Sequence, residues 1–599
     1  MKNENIFHCS QYQFNLQQRP IIFSIFNLTP DSFYDGGKLK GLDVLLKKVE
    51  TDIVHGADII DIGGESTRPG SKSITIEEEI ERIEKPIYEI KKRFDIPVSI
   101  DTTKYDVAKV AVENGADIIN DTSGFTDSPE MLELAAKMRL GIVIMHRRNI
   151  PEIMQKEVHY DDCLKEVKAF LEKQVKLAVS KGVDKSSIFL DPGIGFGKEV
   201  NHNIELLTGI KKLQKSGFPL LIGLSRKSYM GKILNNTAKE RLTGTIASTA
   251  LVLQQGVQAL RIHDVKETFE TVKIVQAFHK NLAGKRLASI DIGSNTCRLL
   301  ISEIKNNKLK KVFETQKIIR LSEKIVNTSQ ISEAAIERLL NLLTCYGSYF
   351  KKFEVEDYII TATSAMREAE NNKDIVKQVK KQTGLNITII SEKREAELAY
   401  RGVYSGLSTE YKKVKNKILV DIGGGSTEFT LIENFSGNEN IIKSVSLPIG
   451  VVKLKDLHIK NDPPNNREID KVKNQVKDFL SQLGFPEIQP KETVFIGTAG
   501  TITTLAAVYL NMKWYDGEKI NNTSLSKSAI EKQLDLFCAM TNNERASLPQ
   551  LEKGREDLII PGILLLLESM NHFGFKKILI VDNSLREGSL SELASNFTV

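Results

Sequence analysis

The chain reads as an α/β protein in two parts, a closed (β/α)8 barrel followed by a two-lobed domain. Three observations lead there. From residue 21 to about 263, eight short apolar, β-branched runs alternate with amphipathic helical stretches. After Gly284 the pattern changes to strand pairs bent around small Gly- and Ser-bearing turns. At 599 residues the chain is also too long for one hydrophobic core. The predicted boundaries are 1–283 for the barrel and 286–599 for the second domain.

The runs of the first part are "IIFSIFN", "ADIIDIGG", "PVSIDT", "ADIIND", "GIVIMH", "SIFLDPG", "LLIGLSRK" and "ALRIHD". Continuous apolar strands separated by helices such as "EEEIERIEKPIYEIKKRF" imply a parallel sheet covered on both faces. Eight such units over about 250 residues is the count for a closed barrel, whose active sites use the C-terminal strand ends. Those ends carry Asn27, Asp61, Asp101, Asn120, Met145 with His146, Asp191, Lys227, and Arg261 with His263. One polar strand end could simply cap a helix. A ring of them around one mouth points to a polar ligand.

In the second part, "ASIDIGSNTCRLLI" and "ILVDIGGGSTEFTLI" each place a small turn between two strands, just after an aspartate. Such turns expose backbone N–H groups that wrap phosphate oxygens, and glycine permits the close approach. Two of them, headed by Asp291 and Asp421, suggest facing half-domains that grip a phosphate chain and a metal. "DIGGEST", from Asp61, shares the vocabulary but ends a barrel strand, so the three strings are not a repeat.

Composition narrows the classes. A net charge of +6, from 83 basic and 77 acidic side chains, suits anionic small molecules and is too diffuse to argue for nucleic acid. The five cysteines are widely spaced, without a CxxC pair, as expected for thiols in a reducing compartment. The N-terminal "MKNENIFHCSQYQ" lacks a basic-then-apolar leader pattern, and "LIIPGILLLLESM" is too short to span a bilayer. A cytoplasmic protein without membrane partners is therefore expected, with the second of these segments a buried helix.

"IFNLTPDSFYDGG", "DIGGESTRPG", "SIDTTKYDVAKVAVENGADIINDTSG", "DPGIGFGK", "GLSRKSYMGKIL" and "LRIHDVKET" resemble, in order, the signatures of the dihydropteroate synthase family. The resemblance implies condensation of 6-hydroxymethyl-7,8-dihydropterin diphosphate with 4-aminobenzoate, giving dihydropteroate and pyrophosphate in folate biosynthesis. It assigns Asp101, Asn120 and Asp191 to the pterin edge, beside Met145 and Asp61. Lys227, a catalytic candidate with Arg261 and His263, would serve the pterin carbonyl side, and Ser225 is a further substrate-binding candidate. Arg261, His263, Asn27, Thr67 and Arg68 would meet the diphosphate, with Mg²⁺ near Asn27. "MHRRNIP" departs from the family's usual loop at Arg147, Asn149 and Ile150, a change of lining. A pterin-dependent methyltransferase domain shares the architecture, but "TPDSF", "SRK" and "RIHD" together favour the synthase.

"TATSAMREAENN", "IISEKREAELAYRGV", "SLPIGVVKL", "FIGTAGTITTLAAV" and "VDNSLREGSL", together with the two turns, are similar to the exopolyphosphatase and guanosine pentaphosphate phosphohydrolase family. That resemblance implies an actin-like/Hsp70-like ATPase superfold and hydrolysis of terminal phosphoanhydrides of polyphosphate or guanosine pentaphosphate. Glu395 would be the general base, and Asp291, Asp421 and Glu428 would stand at Mg²⁺. Gly423, Gly424, Gly425, Ser426, Ser294 and Asn295 would cradle phosphates, and Arg367 would offset transition-state charge. Periodicity alone places Glu395 on a solvated helix face; only the motif lifts it out. The family's Gly-Arg-Glu-Glu reads "EKRE" here, with Glu392 in the glycine's place. A kinase of the same superfold and a non-catalytic sensor of polyphosphate or guanosine tetraphosphate are the rival readings. A homodimer is compatible with both resemblances.

Overall fold

The computed structural model describes residues 6–28, 38–66, 70–156, 158–237, 240–279, 284–305, 308–323, 329–435, 438–552 and 554–597. The chain divides into two compact units, Met1–Ala283 and Gly284–Val599. Among the described residues no helix is long and apolar enough to cross a membrane.

The first unit opens with a hairpin, β1 (Ile6–Cys9) and β2 (Tyr12–Asn15). The eight apolar runs follow as β3 (Ile21–Asn27), β4 (Ile59–Gly63), β5 (Val98–Asp101), β6 (Ile118–Asp121), β7 (Gly141–Met145), β8 (Ile188–Asp191), β9 (Leu221–Gly223) and β10 (Ala259–Ile262). All eight are parallel, in the order β8-β7-β6-β5-β4-β3-β10-β9. A parallel bridge between Leu190 and Leu220 joins the two ends and closes the barrel. Strands such as β4 and β7 are buried at every position, because one face meets the barrel interior and the other meets helices.

The helices are set by their ends. Helix Ile76–Arg93 starts in a capping box, Thr75 with Glu78, has Glu77, Glu78 and Glu79 in its first turn, and ends on Lys91, Lys92 and Arg93. That charge order complements the helix dipole. The hairpin β1–β2 was not expected from the sequence. Phe7 and Cys9 from it pack with Phe23, Ile59, Val143 and Phe189, the two rings Phe7 and Phe189 lying 4.3 Å apart. This apolar plug fills one end of the barrel, while the polar strand ends gather at the other.

The second unit holds two sheets built on one plan. The first runs β13-β12-β11-β14-β15, comprising β11 (Arg286–Ile292), β12 (Thr296–Lys305), β13 (Lys308–Ile318), β14 (Asp357–Ala362) and β15 (Thr388–Ile389). The second runs β18-β17-β16-β19-β21-β20, comprising β16 (Asn416–Ile422), β17 (Thr427–Phe435), β18 (Asn438–Leu447), β19 (Thr493–Thr498), β20 (Thr523–Ser526) and β21 (Lys577–Ile580). In each, three antiparallel strands are flanked by a parallel one beside the first. Register shifts even recur at matching places, Ile301/Ser302 and Leu431/Ile432.

Two helices cross between the halves. Helix Glu392–Gly406 packs Tyr400 and Val403 against Leu419, Ile432 and Ile496 of the second sheet. The last helix, Leu585–Ser595, returns to the first sheet, where Leu590 and Ala594 meet Leu287 and Leu300. "LIIPGILLLLESM" opens helix Ile559–Phe573, with Leu558 just before its first turn, and is buried along its whole length.

Candidate active sites

In the first unit the polar strand ends converge on a guanidinium. Arg261, on β10, donates from Nε to Asp61 Oδ2 at 2.7 Å and from Nη2 to Asp101 Oδ2 at 2.6 Å. Asn120 Nδ2 donates to Asp61 Oδ1 at 3.3 Å. Oδ1 of Asp101 is buried with no hydrogen-bond partner, an acceptor waiting for a donor. A Cβ at Gly63 would stand 3.6 Å from Asn27 Oδ1 and 3.7 Å from Asp101 Cβ, so the missing side chain keeps that corner open.

Asp191 accepts the Gly193 amide at 2.7 Å and lies in the field of Lys227 and Arg261. Lys227 Nζ rests 4.3 Å from the centre of the Phe196 ring, and Phe196 packs with Met145 and Met154. His263 Nδ1 and Ser225 Oγ are 2.9 Å apart. Arg226 holds Asp264 with two bonds, at 3.0 and 2.7 Å, fastening "SRK" to "RIHD".

Thr67 and Arg68 lie outside the described residues. Around them, Glu65 pairs with Lys104 at 2.8 Å and the Gly70 amide donates to Pro151 O at 2.8 Å. In the departing loop, Arg147 pairs with Asp127, while Arg148 lies 4.5 Å from the Tyr160 ring centre and 3.3 Å from Glu166.

Burial sets the charge states here. It pushes Asp101 up to about 7, against the pull of Arg261 and with help from Asp61. Asp191 is raised by the same cause. Burial opposes the charge of Arg261, yet Asp61 and Asp101 more than offset it and raise its proton affinity. Lys198, in "GFGK", is buried against His146 Nδ1 at 3.0 Å and is lowered by burial to about 7.

In the second unit the two turns face each other. A Cβ on Gly425 would stand 2.8 Å from Ser294 Oγ, and one on Gly424 would stand 3.1 Å from Asn295 Cβ. Each turn is closed by its own backbone bond, Gly293 N to Thr296 O at 2.9 Å and Gly423 N to Ser426 O at 3.0 Å. Helix Val451–His458 begins beneath the second, its Val451 and Val452 amides donating to Gly423 O and Gly424 O at 3.0 and 2.9 Å.

Four carboxylates gather beside these turns. Glu395, in the first turn of its helix, accepts from Arg367 Nη1 at 2.9 Å and feels the charges of Asp291 and Asp421. Burial is the largest cause pushing it up, to about 7, and Arg367 resists. Asp291 is raised by burial to about 6, and its buried Oδ1 has no partner. Asp421 accepts from Ser584 Oγ at 3.1 Å and is raised by burial. Glu428 stands opposite Asp421 in the ladder, accepts from Ser446 Oγ at 3.0 Å, and is pushed well up by burial, then by Glu395 and Asp421. Glu392 keeps contact with the cluster through Arg367, 3.9 Å away.

Among the described residues, no three His, Cys, Asp or Glu side chains are grouped to hold an ion alone. Mg²⁺ typically takes only one or two carboxylates and fills its octahedron with water and phosphate oxygens. The orphaned Asp291 Oδ1 beside Asp421, facing phosphate-type turns, fits that mode.

Comparison with known proteins reports both units. Residues 23–263 match the model described as pterin binding enzyme, and residues 300–597 match the Ppx/GppA phosphatase family. The dihydropteroate synthase of Synechocystis sp. is 43% identical over 268 residues, covering 45% of this chain and 93% of that one. That of Escherichia coli is 40% identical over 258 residues, covering 43% and 91%. The crystal structure of the Aquifex aeolicus Ppx/GppA family member is 32% identical, covering 53% of this chain and 99% of that one, with a TM-score of 0.46.

The chain belongs to the dihydropteroate synthase family through its first unit, and its second unit matches the Ppx/GppA phosphatase family over residues 300–597. It is an enzyme, a synthase unit fused to an exopolyphosphatase-type hydrolase unit. Several residues at the two sites escaped sequence reading. Phe196 under Lys227 and Ser584 on Asp421 both lie in motifs already singled out. Arg298 pairs with Asp291 in the ladder, and its buried Nε has no partner. Counting outward equally from both sides of the four-residue "GSNT" turn would have found it.

Proposed function

We propose that the synthase unit condenses 6-hydroxymethyl-7,8-dihydropterin diphosphate with 4-aminobenzoate. The bond from the pterin methylene carbon to the diphosphate oxygen breaks, the arylamine nitrogen bonds that carbon, and one proton and pyrophosphate leave. Asp101, Asn120 and Asp191 read the donor–acceptor edge of the pterin, with Met145 and Phe196 along its face and Lys227 at its carbonyl. Arg261 holds Asp61 and Asp101 in place, and together with His263, Ser225, Asn27, Thr67 and Arg68 it meets the anionic groups. The observation that carries this reading is the unpaired Asp101 Oδ1 inside the Arg261–Asp61–Asn120 set. Dihydropteroate formation from the two substrates tests it. Product from the wild type and none from Asp101→Asn is expected; equal product from both would overturn it.

We propose further that the phosphatase unit removes terminal phosphates from polyphosphate or guanosine pentaphosphate. Glu395 takes the proton of the attacking water, a task suited to a carboxyl held near neutrality. The Ser294–Asn295 and Gly423–Ser426 turns cradle the phosphates, and Arg367 steadies Glu395. Asp291 and Asp421 would hold Mg²⁺, with Glu428 behind them, and a separate Mg²⁺ would lie near Asn27 in the synthase unit. When bound, the ion neutralises charge on phosphate oxygens. Phosphate release from long-chain polyphosphate with Mg²⁺ is the test. Loss of release in Glu395→Gln supports hydrolysis, whereas binding without release supports a sensor, a reading favoured by the Arg367 bond already made to Glu395. The wide spacing of the five cysteines, without a CxxC pair, supports work in the cytoplasm on small molecules.

A further inference from the structure

One ion pair at the rim of the facing turns has no role in either scheme. Lys453 lies three residues into helix Val451–His458, the helix whose first amides hold the Gly423 and Gly424 carbonyls. Its Nζ stands 3.3 Å from Oε2 of Glu368. Glu368 ends the short helix Ser364–Glu368, which follows β14 in the other half of the unit. Its Oε1 accepts from Ser364 Oγ at 2.7 Å, and that hydroxyl lies 3.1 Å from where a Gly425 Cβ would be. Ammonium, carboxylate and hydroxyl thus form a chain that ends on the glycine turn. The lysine side chain is 15% exposed and the glutamate 41%, so the pair is open to solvent from the Glu368 side.

We propose that Lys453 is a specificity residue that binds a second phosphate of a linear phosphate chain, and that Glu368 holds it until the chain arrives. The proposal rests on the phosphoanhydride reading of this unit. A single ion pair open to solvent on one side contributes little to stability, so giving it up is cheap. A phosphate group brings more charge and more acceptor oxygens than the carboxylate it displaces, and charge-assisted bonds to it are the stronger kind. Lysine, a point charge on a flexible stem, can swing from one anion to the other where arginine's fork would be tied to its partner. A single orthophosphate held by the turns would leave the Lys453–Glu368 pair intact.

Calorimetric titration of the full chain with tripolyphosphate and with orthophosphate tests this. Lys453→Met should weaken tripolyphosphate binding about tenfold, and Glu368→Gln should tighten it about threefold. Orthophosphate binding should move in neither. Opposite signs are the signature, because a merely structural ion pair would lose affinity in both variants. Weakening in both, or no change in either, overturns the proposal. The titration reads binding alone, so a chain that binds tripolyphosphate in this pattern yet releases no phosphate would overturn the hydrolytic reading and leave Lys453 in its role.

Discussion

Gly402 and Gly588 meet where the two crossing helices of the phosphatase unit touch, backbone against backbone. A Cβ on Gly402 would stand 1.8 Å from Ser584 O, and one on Gly588 would stand 1.8 Å from Leu398 O. One helix carries Glu395 and the other begins at Ser584 and Arg586, so this crossing fixes the base relative to the residues around Asp421. Neither glycine has a left-handed φ; both are required by space.

Gly402→Ala and Gly588→Ala must therefore push the helices apart. Overpacking of this kind costs about 1–3 kcal/mol. Calorimetry should show lowered stability in the phosphatase unit, with phosphate release falling further than stability accounts for, because Glu395 moves with its helix. Unchanged melting in both variants would mean the crossing has slack.

The buried carboxylates should burden the fold. Asp291, at about 6, and Glu395, at about 7, sit above the ordinary values of 3.8 and 4.5. Between the unfolded and folded values the folded state binds more protons, so stability falls as pH rises from about 4 to about 7. Asp291→Asn should raise the melting temperature at pH 8 by a few degrees, about 1–3 kcal/mol, and leave it unmoved at pH 4. A melting temperature at pH 8 equal to the wild type's would refute the burden. Phosphate release should be lost in the same variant.

Glu395 must be ionised to accept a proton, so phosphate release should climb with pH and level off above about 7. Arg367 opposes the rise of Glu395, and Arg367→Gln should shift that acid limb to higher pH. Glu395→Gln should cost about 10²–10⁴ in rate. A limb that stays put in Arg367→Gln would assign the titration elsewhere.

In the synthase unit, Arg261→Met would strand two buried carboxylates, Asp61 and Asp101. Removing one partner of such a set costs about 3–5 kcal/mol. Arg261→Lys keeps the charge but not the fork that reaches both aspartates. It should melt above Arg261→Met while forming dihydropteroate poorly. Melting temperatures and product formation, measured side by side, separate the two contributions.

The eight barrel strands were legible because fully buried parallel strands read as unbroken apolar runs, and their ends named Asp61, Asp101, Asn120 and Arg261. What they do to one another was not. Arg261 was expected at the diphosphate; that it also bonds Asp61 and Asp101, across separations of 200 and 160 residues, no local pattern encodes. The hairpin that plugs the barrel is too short to carry a period. Glu395 shows a different limit. Its helix is rich in charge and reads as solvated, and Glu392 and Lys393 are indeed exposed, but the Glu395 side chain turns inward onto Arg367 and is only 14% exposed. Arg298 and Ser584 became site residues only through strand register and chain return.

Arg586 offers the last test, since it ties the returning helix to β13. Its buried guanidinium bonds Glu587 at 2.7 Å and Glu314 at 3.1 Å, with Asp582 at 3.8 Å. Burial opposes that charge, but Glu587 and Glu314 outweigh it and hold Arg586 protonated. Glu314 belongs to the first sheet, and Asp582 follows β21 of the second, so one side chain spans both halves. Arg586→Met would take the shared cation away from three carboxylates, leaving Glu314 with Lys311, Glu587 with the Ser584 amide and Asp582 with Tyr515, and should cost about 3–5 kcal/mol. Adding Glu314→Gln removes one of them and should recover part of the loss, a coupling that a double-mutant cycle reads directly. Strict additivity of the two substitutions would show that Arg586 and Glu314 do not act on each other and would remove this tie between the sheets.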